Sequence, residues 1–82
     1  MTNKNTKLVD FRFMTDDELK VMFSEKLRAL MNDRQMSIVE LSRLSRISEK
    51  TIRSYLQAKT VPNISRAMDI CDALECEPND LI

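Results

Sequence analysis

Lys50, Arg53, Ser54 and Gln57 recur at helical spacing on one side of a short segment, while Ile52, Tyr55 and Leu56 share the other side at i, i+3 and i+4. Ammonium, guanidinium, hydroxyl and carboxamide groups gathered on one face bind anions and hydrogen-bond flat polar edges. On a short helix held against a scaffold, such a face has the shape and charge to enter a DNA major groove. No other constellation in the chain offers chemistry. There is no histidine, hence no Ser-His or Cys-His nucleophile pair. There is no glycine, hence no phosphate-cradling loop and no dinucleotide fingerprint. The carboxylates fall where helix capping or solvation explains them, so neither catalysis nor a cofactor is expected. Cys71 and Cys76 without any histidine do not assemble a zinc cluster, and no metal is expected. They are expected to pack as small, buried, reduced thiols.

The 82 residues carry zero net charge, which on its face argues against a polyanionic partner. The distribution argues for one. Residues 1–33 hold six basic and six acidic side chains; residues 34–66 hold seven basic (Arg34, Arg43, Arg46, Lys50, Arg53, Lys59, Arg66) against Glu40 and Glu49. Residues 67–82 hold only acids: Asp69, Asp72, Glu75, Glu77 and Asp80. Positive charge thus sits on the segment that would meet phosphate, and negative charge sits where solvent or a protein partner would lie. No apolar run approaches the roughly 20 residues of a membrane helix, and the start, MTNKNTK, is polar with no apolar signal segment. A cytoplasmic site without membrane contact is the expectation.

Periodicity places the elements. Residues 1–14 read as an N-terminal arm, in which Val9, Phe11 and Phe13 alternate with Asp10 and Arg12 as in a short β-strand. A lone strand must pair or stay loose. Val9, Phe11 and Phe13 are therefore candidates for a dimer ribbon with a second copy; the alternative is an arm whose aromatics rest on the helical core. Residues 15–82 read as one all-helical domain. Thr15-Asp16-Asp17-Glu18 is a capping box opening a long helix to about Arg34, with Leu19, Met22, Phe23, Leu27, Leu30 and Met31 inward. Ser37-Ile38-Val39-Glu40 is a second, and Leu41 and Leu44 follow as apolar positions. Ile47 lies at the corner and Ser48 caps the next helix. Asn63 caps a fourth, whose expected buried stripe is Ile64, Ala67, Ile70, Cys71 and Leu74. Pro78 opens a last short helical turn.

These pieces together resemble the Cro and lambda-repressor class of helix-turn-helix regulators, the xenobiotic-response-element family. FSEKLRALMNDRQMS corresponds to its first helix, SIVELSRLSRISEKTIRSYL to its reading unit, KTVP to the stretch that follows, and AMDICDALECEPNDLI to its closing helix and turn. The resemblance runs from Phe23 to Ile82. It implies a compact five-helix bundle acting as a sequence-specific, homodimeric regulator, a repressor of prokaryotic or phage genes, with double-stranded DNA as partner and helix 48–57 in the groove. Its base-reading positions correspond to Glu49, Lys50 and Ser54. Its phosphate positions correspond to Ser37, Thr51, Arg53, Gln57, Lys59 and Asn63, and charge and location add Arg43 and Arg46. An alternative on the same fold is a protein-interaction module, such as an antitoxin or phage-encoded inhibitor, using the acidic C-terminal region. The chain departs from the pattern at Ile38, where the family commonly has a phosphate-touching glutamine. It also has Gln35, Arg46, Ala58 and Glu75 where the family has glycines at its turns, so these corners are expected to be strained or differently built.

Overall fold

The computed structural model describes residues 15–81, and the expected strand and its dimer contacts at Val9, Phe11 and Phe13 lie outside those residues. The described chain is all-α: α1 (Asp16–Asp33), α2 (Ile38–Ser45), α3 (Glu49–Leu56) and α4 (Ile64–Leu74), followed by a single 3-10 turn, Pro78–Asp80. The expectation of five helices is corrected to four α-helices among the described residues. The segment after Pro78 closes only i+3 bonds, from the Leu81 N–H to the Pro78 carbonyl at 3.1 Å and from the Asp80 N–H to the Glu77 carbonyl at 2.9 Å. Such i+3 bonding is that of a 3-10 turn, not of an α-helix. No helix among the described residues is long and apolar enough to cross a membrane.

Each helix begins at a polar cap. Thr15 and Ser37 form complete capping boxes with Glu18 and Glu40, Ser48 accepts from the Thr51 N–H, and Asn63 accepts from the Arg66 N–H. Such caps satisfy N–H groups that have no partner within the helix and contribute about 1 kcal/mol each.

The helices end at residues of positive φ: Gln35 at 52°, Arg46 at 63°, Ala58 at 60° and Glu75 at 54°. These are the four positions where the family has glycine, and every one is left-handed. After α1, α3 and α4 the closure is the same pair of bonds. Met36 N–H reaches the Met31 carbonyl at 2.9 Å, Lys59 N–H that of Ser54 at 3.0 Å, and Cys76 N–H that of Cys71 at 3.0 Å. The residue before each, itself left-handed, bonds back to Asn32, Tyr55 and Asp72. This double closure satisfies carbonyls that the helix leaves open and brings the residues of each outer pair together, Met31 with Met36 and Cys71 with Cys76.

The core collects Phe23, Leu27 and Met31 from α1, Leu41 from α2, Ile47 from the corner, Ile52 and Tyr55 from α3, Ile70, Cys71 and Leu74 from α4, and Leu81. Phe23 and Tyr55 meet edge to face, ring centroids 5.8 Å apart at 89°, and fasten α3 to α1. Such pairs add about 0.5–1.5 kcal/mol beyond the area they bury.

Two expected core positions, Ile64 and Cys76, are corrected, and Leu44, an apolar position by pattern, also lies outside the core. Leu44 is 53% exposed. The line that α2 buries runs through Leu41 and Ser45, leaving Leu44 beside it at the rim. Ile64 is 83% exposed because α4 meets the core through its second half, at Ile70, Cys71 and Leu74. Cys76 is only half-buried, whereas Cys71 is buried; both are free thiols. Burial, reinforced by the Cys76 thiol and then by the charges of Asp72 and Asp80, pushes the Cys71 thiol from 9.0 up to about 11.

Candidate nucleic-acid interface

The corner between α2 and α3 is built by three consecutive residues. Ser45 is buried, and its hydroxyl donates to the Leu41 carbonyl at 2.6 Å and accepts from the Ile47 N–H at 3.3 Å. Arg46 takes the left-handed conformation that turns the chain, and Ile47, 2% exposed, plugs the angle. A larger residue at 45 would push the helices apart, and a side chain without a hydroxyl would leave the Ile47 N–H unpaired.

With Ile52 and Tyr55 buried, α3 turns the opposite side to solvent. Lys50, Arg53 and Gln57 are exposed, and Glu49, Thr51 and Ser54 are half-buried at its edges. Lys50 makes no ion pair or hydrogen bond with any described residue. Arg53 pairs with Glu49 one turn earlier, Nη2 to Oε1 3.3 Å. Thr51 accepts from the Ser48 hydroxyl at 2.9 Å. The Ser54 hydroxyl lies 3.1 Å from that of Thr60, which pins the loop after α3 to the helix. Four of the sequence-predicted contacts, Glu49, Thr51, Arg53 and Ser54, are thus already engaged within the chain, though each keeps further hydrogen-bonding capacity.

The remaining predicted positions surround this helix in the chain. Arg43, Arg46 and Lys59 are exposed with no partner among the described residues, and Arg66 joins them. Ser37 is committed to its capping box: its N–H donates to Glu40 Oε1 at 3.1 Å and its hydroxyl accepts from the Glu40 N–H at 3.1 Å. Asn63 Oδ1 caps α4, leaving its amide group to solvent. Ile38, standing where the family has glutamine, is half-buried against the core and offers no polar contact.

Two arginines serve the scaffold. Arg34, counted by sequence in the cationic segment, instead sends Nε to the Leu74 carbonyl at 2.5 Å and Nη2 to the Glu75 carbonyl at 3.4 Å. Arg28 sends Nη2 to the Leu56 carbonyl at 2.9 Å. Arg28 of α1 and Arg34, the residue that follows it, each satisfy C-terminal carbonyls of another helix, where the helix dipole favours a cation. Sequence reasoning also missed Thr60: its pairing with Ser54 crosses a left-handed turn, so no helical period signals it. Among the described residues no cluster of His, Cys, Asp or Glu is arranged to hold a metal ion.

Residues 26–82 match the model of the Cro/C1-type HTH DNA-binding domain. In fold the chain is similar to the crystal structure of the restriction-modification controller protein C.AhdI from Aeromonas hydrophila, with a TM-score of 0.74 and 22% identity over 77% of this chain and 96% of that one. No curated protein matches the chain.

Proposed function

Since the chain belongs to the Cro/C1-type HTH DNA-binding domain family, we propose that this DNA-binding transcriptional regulator acts as a homodimeric repressor with α3 in the major groove. The observation that carries this reading is Lys50: an exposed ammonium without a partner among the described residues, in the first turn of a helix whose other side is anchored by Ile52 and Tyr55. Lys50 donates to guanine O6 or N7, and Glu49, its carboxylate steadied by Arg53, accepts from cytosine N4. Ser54 reads an adjacent base edge. Arg43, Arg46, Arg53, Gln57, Lys59 and Asn63 grip phosphate, and Ser37 and Thr51 add weaker contacts through hydroxyls shared with their caps.

One eight-residue helix touches only a few base pairs, so two copies on half-sites about 34 Å apart supply the affinity. The name of the similar fold, a restriction-modification controller, fits control of a small set of genes. Selection from randomised duplexes tests the reading. A palindrome with half-sites one turn apart is expected, with affinity falling steeply as salt rises. Recovery of no preferred sequence would overturn it.

A second reading has its own observation. Asp69, Asp72, Glu75, Glu77 and Asp80 are all exposed along α4 and the turn after it, on elements other than α3. They suit a basic protein partner, as an antitoxin or inhibitor would need. Stoichiometric capture of such a partner without DNA preference would favour that reading.

A further inference from the structure

The loop after α3 returns to one residue of that helix, Ser54. The Lys59 N–H donates to the Ser54 carbonyl at 3.0 Å, and the Thr60 hydroxyl lies 3.1 Å from the Ser54 hydroxyl. The left-handed Ala58 reverses the chain, and its N–H closes on the Tyr55 carbonyl at 3.1 Å. The same two main-chain bonds close α1 and α4, where Met31 and Cys71 stand in the place of Ser54 and Ser37 and Glu77 in that of Thr60. Neither of those corners carries a pair of hydroxyls. The closure itself therefore does not require one. At the end of α3 the pair sits between a half-buried and an exposed side chain, on the edge of the side turned to solvent.

We infer, building on the DNA reading above, that Thr60 is a positioning residue whose hydroxyl holds the Ser54 side chain in one rotamer for base reading. A serine within a helix otherwise exchanges among staggered rotamers, and its hydroxyl competes for the carbonyl one turn back. A bond to Thr60 removes that freedom before DNA arrives, so less ordering entropy is lost on binding. Threonine suits the role because its branched Cβ stiffens its own χ1. The loop that carries it is already fixed by main-chain bonds.

A hydroxyl carries one proton and two acceptor sites. Where Thr60 donates, Ser54 keeps its own proton for guanine O6 or N7, adenine N7 or thymine O4. Where Ser54 donates to Thr60, it keeps acceptor capacity for adenine N6 or cytosine N4. The pair thus fixes the place of the Ser54 oxygen and leaves its donor or acceptor sense to the base it meets. Loss of the Thr60 hydroxyl acts on one base position only. The Lys59 N–H still holds the Ser54 carbonyl, so the loop and its cation keep their course.

The test compares the full natural chain with Thr60→Val, which removes the hydroxyl at similar shape, and with Thr60→Ser, which keeps it. In the free protein, Ser54 β-proton couplings are expected to report one dominant rotamer in the natural chain and in Thr60→Ser. They are expected to average in Thr60→Val. Unchanged couplings in Thr60→Val would overturn the inference, whatever the protein binds. On randomised duplexes, Thr60→Val is expected to weaken the preference at a single base position by about two- to tenfold. Thr60→Ser should restore that preference, and the thermal midpoint should not move. In a Ser54→Ala background, Thr60→Val is expected to add nothing. An equal loss in both backgrounds would show that Thr60 touches DNA itself, and uniform weakening of all sites would show that it serves the loop alone. Either result overturns the inference. Absence of any sequence preference in the natural chain, with the couplings as expected, would instead overturn the DNA reading on which it rests.

Discussion

The guanidinium of Arg53 sits 3.3 Å from the carboxylate of Glu49, one turn apart on the exposed side of α3. Both partners are about half exposed, so the pair contributes only about 0.3–0.5 kcal/mol to stability. Its effect on binding is larger, because a carboxylate at the mouth of a phosphate-lined groove is repelled unless a cation neutralises it. Glu49→Ala is expected to leave the melting temperature nearly unchanged and to free Arg53. Binding to non-preferred duplexes should tighten while the preference for cytosine at one position is lost, and the slope of log K against log salt should steepen by about 0.9. Titration at several salt concentrations checks this; an unchanged slope would place Arg53 away from DNA.

Lys50 and Lys59 separate recognition from grip. Lys50→Ala is expected to cost about 1–3 kcal/mol on the preferred site and to relax the preference at one base position. Lys59→Ala should weaken all sites alike and flatten the salt slope by about 0.9. Binding arrays read at two salt concentrations distinguish them. Identical profiles for both variants would mean that α3 does not face the bases.

Four left-handed helix ends without glycine leave stability in reserve. Ala58, at φ 60°, is the clearest because its methyl group makes no polar contact. Ala58→Gly is expected to stabilise the fold by about 1 kcal/mol, raising the melting temperature by about 4–8 °C. The greater freedom of glycine in the unfolded chain offsets part of this gain. Thermal unfolding by circular dichroism measures it, and a fall in midpoint would show that the corner is not strained.

The raised Cys71 thiol gives a pH signature. In the unfolded chain the thiol ionises near 9.0, but in the fold near 11. Between these values the unfolded state has lost a proton that the native state keeps, so stability falls as pH rises. The contribution is complete below pH 9 and lost on passing through 11. Denaturant midpoints for the natural chain and Cys71→Ala, measured from pH 8 to 11, should converge as pH rises, since only the former carries this penalty. Parallel curves would show that the thiol is solvated.

The starts of all four helices were legible in sequence, because a cap is local chemistry: Thr15, Ser37, Ser48 and Asn63 each bond to an N–H within three residues. The side of α3 that faces out was legible for the same reason, since eight residues with Ile52 and Tyr55 inward leave little choice. The left-handed ends came through the family resemblance, as nothing in Gln35 or Glu75 themselves announces positive φ. Leu44 and Ile64 show where periodicity stops. It marks a residue as apolar without saying whether the neighbouring helix reaches that far. Arg28 and Arg34 were beyond reach because their acceptors lie 28 and 40 residues away. The pairing of Ser54 with Thr60 depends on the course of a loop.

What Arg28 holds on α3 is the Leu56 carbonyl, a main-chain atom. A clasp on the polypeptide backbone is indifferent to which side chains the helix displays. The outward residues of α3 are thereby decoupled from the hardware that seats it, and new combinations at positions 49, 50 and 53 can be installed without rebuilding the mount. The fold is in that sense a socket with an interchangeable bit, open to retargeting by substitution at a few surface codons.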